Sequence, residues 1–273
     1  MADRPILFNA PMVRALLDGR KTQTRRLLKP QPELFAVDDA GTLCDVGLGG
    51  YDQLPRIRLG RVITTQTVPF APSDRLWVRE SWWIATHYSY GSTPGGCEIP
   101  PPPLAYRRHD PVHYAADGNP PNCANRHYGP DGLRNGAFAA PDPYAVWQRK
   151  PSIHMPRWAS RLTLTVTDVR VERLQAISEA DAIAEGIEQK QCPELPGMTG
   201  WQVYADPSPI FVQRGDKAIN VGGSKDTFVA LDPRFSYQTL WDSINGPGAW
   251  EANPWVVAVS FTVDRRNIDQ EGI

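Results

Sequence analysis

The 273-residue sequence predicts an α+β, strand-rich fold: a small β-barrel with short helices on its rim and long loop insertions. Three observations predict it. Alternating apolar runs outnumber helical ones, most clearly from Trp158 to Leu174. A change of phase inside that run, near Thr167-Asp168, suits the bulge or sharp bend that a closing barrel needs. Stretches with little periodicity, at about 30–60, 87–150 and 189–224, interrupt the strands and read as insertions in one domain spanning 1–273.

The elements follow in order. Residues 5–9 read as a short strand. Pro11 to Leu17 reads as a helix, with proline where a helix start tolerates it and Met12, Val13, Leu16 and Leu17 on one face. Gly19 is its stop, and a basic turn follows at once. Residues 30–60 are a loop or hairpin insertion, and Arg61 to Phe70 alternates weakly, as a strand. Asp74 to Trp83 is a strand, with Leu76 and Val78 on one face and Trp77 and Arg79 on the other. The proline-rich 87–150 stretch suits a lid, with one strand around His113 to Ala116. In the long run, Leu162, Leu164 and Val166 keep one phase, and Val169 and Val171 the other. A helix starts after Ser178, with Asp181 as capping partner and Ala180, Ile183, Ala184 and Ile187 as its inner face. Phe235 to Ile244 is a helix ended by Gly246-Pro-Gly248, and Pro254 to Val263 is a final strand. There is no internal repeat.

Composition narrows the function. The net charge of −1 excludes a polycation that coats nucleic acid, so any such binding needs a local patch. No run of 18 apolar residues exists, so no membrane span is expected. Met1 to Ala10 lacks a signal-peptide pattern. Cysteines 44, 97, 123 and 192 are not closely paired, and the chain is not small; both point to a reducing, cytoplasmic compartment. His109, His113, Cys123 and His127 form the one metal-like cluster, of types that suit zinc but in a sequence unlike a zinc finger. Whether they bind a metal stays open, and no cofactor is expected. Neither a Walker or Rossmann phosphate loop nor a Gly-x-Ser-x-Gly elbow occurs.

The first 30 residues hold seven basic groups against two acids. Most lie in Gly19-Arg20-Lys21-Thr22-Gln23-Thr24-Arg25-Arg26, which suits a phosphate or a base edge; the plainer alternative is a solvated charged turn. Lys21 and Thr24 would point apart in an ideal strand. They meet only if the chain turns near Lys21, as Gly19 allows. The lysine could then act as base toward the threonine hydroxyl, its pKa lowered by Arg20, Arg25 and Arg26. Lys150 to Trp158 is a second candidate wall: His154 and Arg157 for a base edge, Trp158 for stacking. Its alternative is a proline-bounded entry to the long strand. Glu80 is a further candidate acid, or half of a strand-edge ion pair.

Gly19-Arg20-Lys21-Thr22-x-Thr24-x-Arg26, the Asp74-Arg-Leu-Trp-Val strand and Val166 through Glu185-Gly186 together resemble the ASCH domain family. The resemblance implies a PUA-like β-barrel and an RNA or nucleotide substrate. Small bacterial members include N4-acetylcytidine amidohydrolases with a Lys, Thr and Glu triad, which matches Lys21, Thr24 and Glu185 here. On that reading Arg20, Thr22, Arg26, Glu80, His154, Arg157 and Trp158 contact the substrate. Lys150 to Trp158 and Leu240-Trp-Asp-Ser-Ile-Asn look like the longer ASCH proteins of phages and prophages, hence a bacterial host's cytoplasm. The expected activity is removal of an acyl group from a modified base. The alternatives are a non-catalytic module that binds RNA, DNA or a modified base, and a phage accessory protein whose 87–150 insertion binds a protein partner. Glu185 falls about 140° around the helix from Ala180. That is off the apolar stripe, so it either faces solvent or borders the barrel mouth.

Overall fold

In a computed structural model, the structure describes residues 2–29, 31, 35–37, 43–45, 57–58, 61–62, 68–87, 111–124, 138–141, 145–192, 197, 199–204, 211–214, 217–220 and 229–270. The first elements are β1 (Asp3–Leu7), α1 (Ala10–Leu17) and β2 (Gln23–Leu27), then the short strands β3 (Phe35–Val37), β4 (Leu43–Asp45), β5 (Ile57–Arg58) and β6 (Arg61–Val62). Next come β7 (Arg75–Arg79), β8 (Trp82–His87), β9 (Val112–Tyr114), β10 (Phe138–Ala139), β11 (Ala145–Lys150) and β12 (Thr163–Arg173). After these come α2 (Glu179–Ala184), β13 (Gln189–Gln191), β14 (Thr199–Gln202), β15 (Phe211–Arg214) and β16 (Lys217–Asn220). The last are β17 (Val229–Ala230), α3 (Pro233–Asn245) and β18 (Trp255–Asp264). The fold is mixed α+β and strand-rich, and among the described residues no sheet closes into a barrel. No described helix is long and apolar enough to cross a membrane.

The chain forms two compact units. The first holds residues 18–74 and 165–262, with Met1. Here β18 runs between β12 and β2 in strand order. Its residues Trp255 to Val259 are all buried, as expected of a strand covered on both faces. β2 is antiparallel to β18, pairing Gln23 with Ser260 and Leu27 with Val256. β13, β14 and β17 form a separate three-stranded sheet, and β15 and β16 a hairpin. Residues 189–224, expected to be irregular, therefore contain four strands among those described. The phase change in β12 is visible in burial: Leu164, Val166 and Val169 are buried, and Thr167 and Asp168 are both exposed.

The second unit holds residues 2–17, 75–164 and 263–273. β1 is parallel to β7, from Asp3 against Arg75 to Leu7 against Arg79. Leu76 and Val78 are buried, as their alternation predicts. The Asp74-to-Trp83 run is two strands, not one, broken at Glu80 and Ser81. β8 pairs with β11 along six residues, and β9 and β10 flank the pair. Residues 145–150 thus belong to a sheet and not to an insertion loop. The weak alternation there hid this, because Ala145, Val146 and Trp147 are buried in succession.

α3 starts two residues before the predicted Phe235. Asp232 accepts the Arg234 backbone N–H at 2.8 Å, and Pro233 follows at the first helical position. α2 departs from its prediction. It spans six residues, and Ala182 is buried while Ala180 and Ile183 are exposed. Of the predicted inner face Ile187 is buried and Ala184 half-buried, while Ala180 and Ile183 turn outward because polar partners, described below, draw the other side inward.

Burial fixes the cost of core changes. Leu174→Ala, at a fully buried site, should cost about 2–5 kcal/mol. Leu231→Ala, 71% exposed in the same unit, should stay within about 0.5 kcal/mol. Urea unfolding of both variants measures the contrast.

Candidate functional site

The basic turn leads into the interior. Gly19 takes φ +73°, a left-handed conformation that favours glycine, and reverses the chain after α1. From there Lys21, Gln23 and Arg25 share one phase and all are buried. Arg20 stays at the surface, bridging the Asp18 carboxylate at 2.9 Å and the Gly186 carbonyl at 3.0 Å. Thr22 is exposed, but its backbone N–H donates to the Ala184 carbonyl at 2.9 Å. Lys21 and Glu185 form an isolated antiparallel bridge, so the start of β2 is stitched to the end of α2.

The side chains repeat that connection. Lys21 Nζ donates to Glu185 Oε2 at 2.9 Å and to the Glu185 carbonyl at 2.7 Å. Arg25 donates to the other carboxylate oxygen, Glu185 Oε1, at 3.1 Å. The Arg25 fork also reaches Glu172 at 2.6 Å, Asp181 at 3.2 Å and Gln23 Oε1 at 2.6 Å. Arg170 adds a second cation to Asp181 at 3.0 Å. Glu185 itself is 3% exposed, so neither the solvent-facing position nor the apolar-stripe geometry holds. A helix of six residues makes too little apolar contact to set its own rotation, and two buried cations set it instead.

Burial lowers the Lys21 pKa below its ordinary value. Glu185 pulls it back up, and Arg26 and Arg25 push it down again. Of the three arginines expected to lower it, Arg25 and Arg26 do so, less than desolvation, and Arg20 is not among the causes. Burial alone would raise the Asp181 carboxyl, but hydrogen bonds from Arg170 and Gln23 and the charge of Arg25 leave it lowered.

Thr24 is 4% exposed, and among the described residues no hydrogen bond joins it to Lys21. It pairs with Val259 and alternates out of phase with Gln23 and Arg25. β2 stands last in its strand order. The half-buried Arg26, in the Thr24 phase, senses Glu185 and Tyr237, as Arg25 does. Tyr237, on α3, carries no sequence signal for the site. It is 3% exposed, with its ring centroid 5.9 Å from the Arg25 guanidinium carbon. Arg25 was legible in principle: a period of two from Lys21 reaches it.

The other predicted contacts lie in the second unit and are engaged in its own framework. Glu80, 1% exposed, is gripped by Arg161 at 2.9 and 3.1 Å, an ion pair with a residue distant in sequence. Burial raises the Glu80 carboxyl, and Arg161 restrains the rise. Arg157 bridges Asp3 at 2.6 Å and Asp269. Trp158 packs edge-on to Trp82, centroids 6.3 Å apart, and His154 is exposed in a single 3-10 turn. Of the metal-like cluster, His109 and His127 lie outside the described residues. His113 pairs with the Gly118 carbonyl at 3.2 Å, and among the described residues no group of three or more ligating side chains could hold a metal. No family model, curated protein or solved structure matches the chain.

Two predictions follow from the ion network. Glu185→Ala leaves Lys21 and Arg25 facing each other in the interior and should cost about 3–5 kcal/mol. Lys21→Met, which keeps Glu185 paired with Arg25, should cost distinctly less by denaturant unfolding. With Lys21 lowered, the unfolded chain holds its proton to higher pH than the folded one. Stability therefore rises with pH between the folded Lys21 value and its ordinary value, 10.5. Asp181 acts at the acid end: its stabilisation is present above 3.8 and is lost as pH falls through its lower folded value. Unfolding curves against pH should lose the alkaline rise in Lys21→Met and part of the acid loss in Asp181→Asn.

Proposed function

We propose that the chain is an ASCH-type hydrolase that removes an acyl group from a modified nucleobase such as N4-acetylcytidine. One observation carries the reading. Lys21 and Glu185, 164 residues apart, meet at 2.9 Å in the interior, and burial favours the neutral lysine that a general base must be. A PUA-like barrel is part of the same proposal. The two-residue phase step in β12, of the kind that barrel strands use to bend, supports it.

In the proposed reaction, Lys21 Nζ takes the Thr24 hydroxyl proton as Thr24 Oγ1 attacks the acyl carbon. The C–N bond breaks, the exocyclic amine leaves with the proton from Lys21, and the acyl group remains as a threonine ester. Water then attacks the ester, releasing the carboxylic acid and restoring Thr24. Glu185 orients the lysine and balances its positive charge after proton uptake. Arg25 holds Glu185 in place from the other oxygen. Arg20 and Arg26 would supply positive charge toward a base edge or a phosphate.

A second reading has its own support. Lys21 already donates twice to Glu185, and Thr24 is not hydrogen-bonded to it. That arrangement suits a module that binds a modified base, RNA or DNA without turning it over. An assay on N4-acetylcytidine separates the two. Wild type should release acetate, and Lys21→Ala and Thr24→Ala should each lose on the order of 10²–10⁴-fold in rate. Equal turnover by wild type and variants would remove the triad. Binding without turnover by wild type would leave the binding module.

A further inference from the structure

The acyl transfer above needs a donor for the oxyanion that forms on the acyl carbon, and neither Lys21 nor Glu185 supplies one. Tyr237 stands out in the first unit. The residue is 3% exposed, yet its hydroxyl makes no hydrogen bond among the described residues. A buried hydroxyl without a partner costs roughly 1–3 kcal/mol, so such groups normally find one. The Tyr237 hydroxyl is also not among the polar atoms fully sealed from solvent, which include Trp241 Nε1 and Trp255 Nε1. It therefore keeps a trace of contact with solvent.

Its position is defined from three sides. The ring sits 5.9 Å from the guanidinium carbon of Arg25, which is itself bound to the Glu185 carboxylate. Trp241 and Trp250 pack on the ring at 6.2 Å each, in tilted and edge-on contacts. The α3 cap at Asp232 fixes the helix that carries it. The hydroxyl lies in the field of Glu185 and Glu172, which raise its pKa, and of Arg25 and Arg26, which lower it.

We propose that the Tyr237 hydroxyl donates a hydrogen bond to the acyl oxygen of a substrate bound at the Lys21–Glu185 pair and stabilises the oxyanion formed there. The inference rests on the hydrolase reading and deepens it. Burial, with help from Glu185, holds the phenol well above its ordinary value, so it remains a donor across the working pH range. A neutral donor suits this place, since a phenolate would oppose the developing charge.

The test compares wild type and Tyr237→Phe in turnover of N4-acetylcytidine, calorimetric binding of the same nucleoside, and thermal unfolding. Phenylalanine keeps the ring packing and removes only the hydroxyl. The expected result is a kcat lower by about 10²-fold, a smaller change in KM, and an unfolding temperature that does not fall. A hydroxyl with a structural role would lower the unfolding temperature and leave kcat alone, which would overturn the proposal. Wild-type turnover matched by Tyr237→Phe would overturn it while leaving the hydrolase reading intact. If wild type binds the nucleoside without turnover, the hydrolase reading fails and affinity decides: at least tenfold weaker binding by Tyr237→Phe retains the hydroxyl as a ligand donor, and equal binding removes it. Absence of both binding and turnover in wild type would overturn both.

Discussion

The carboxylate of Glu185, divided between Lys21 and Arg25, is the constraint on which the first unit is organised. One oxygen accepts from Lys21 and the other from Arg25. Both cations are buried, and a buried cation without a counter-charge costs several kcal/mol. The end of α2 must therefore lie against the start of β2. Backbone bonds agree with the side chains: Thr22 donates to the Ala184 carbonyl, and Lys21 reaches the Glu185 carbonyl as well as its carboxylate. A turn that looks solvated in sequence is thereby drawn into the interior.

The two cations are not interchangeable. Arg25 uses its planar fork on Glu185, Glu172, Asp181 and Gln23 at once, and against the pull of burial its pKa is raised by Glu185, Tyr237 and Glu172. It is a fixed charge. Lysine could not satisfy four acceptors spread in that way. Lys21 donates twice to Glu185, and burial moves it toward neutrality. The network thus divides into an anchor that cannot titrate and a lysine that can, sharing one carboxylate.

The sequence made some of this legible. Strand alternation located β7, β12 and β18, and the phase step at Thr167-Asp168 survives in the burial pattern. The Ser178 cap followed a local rule that depends on few neighbours, whereas the Asp232-Pro233 start of α3 was missed by two residues. Lys21 was singled out by the basic turn, but Glu185 came from the resemblance, since nothing local announces a contact across 164 residues. What periodicity said of α2 was misleading. Its apolar stripe pointed Ala180 and Ile183 inward, but ion pairing outweighs two small apolar contacts in so short a helix. Glu80 shows the same limit: its partner is Arg161 and not the neighbouring Arg79. Tyr237 was invisible because its place beside Arg25 depends on the packing of α3 against α2, a tertiary fact.

Buried ion networks are a poor device for stability alone, because well-packed apolar residues of similar volume often do as well or better. A chain that keeps Lys21, Arg25, Glu172, Asp181 and Glu185 together is thus better explained by what charge can do than by what it holds up. The hydroxyls of Thr24 and Tyr237 strengthen the point. Both residues are buried in the same unit, and neither hydroxyl has a protein partner among the described residues. A purely structural network would have absorbed them, since Gln23, Asp181 and Glu172 offer acceptors in the same unit. Two unused hydroxyls in the unit that holds a titratable lysine and a fixed carboxylate leave hydrogen-bonding capacity that the fold itself does not use. An acylated base, with one carbonyl oxygen and one electrophilic carbon, is a ligand whose chemistry matches that capacity.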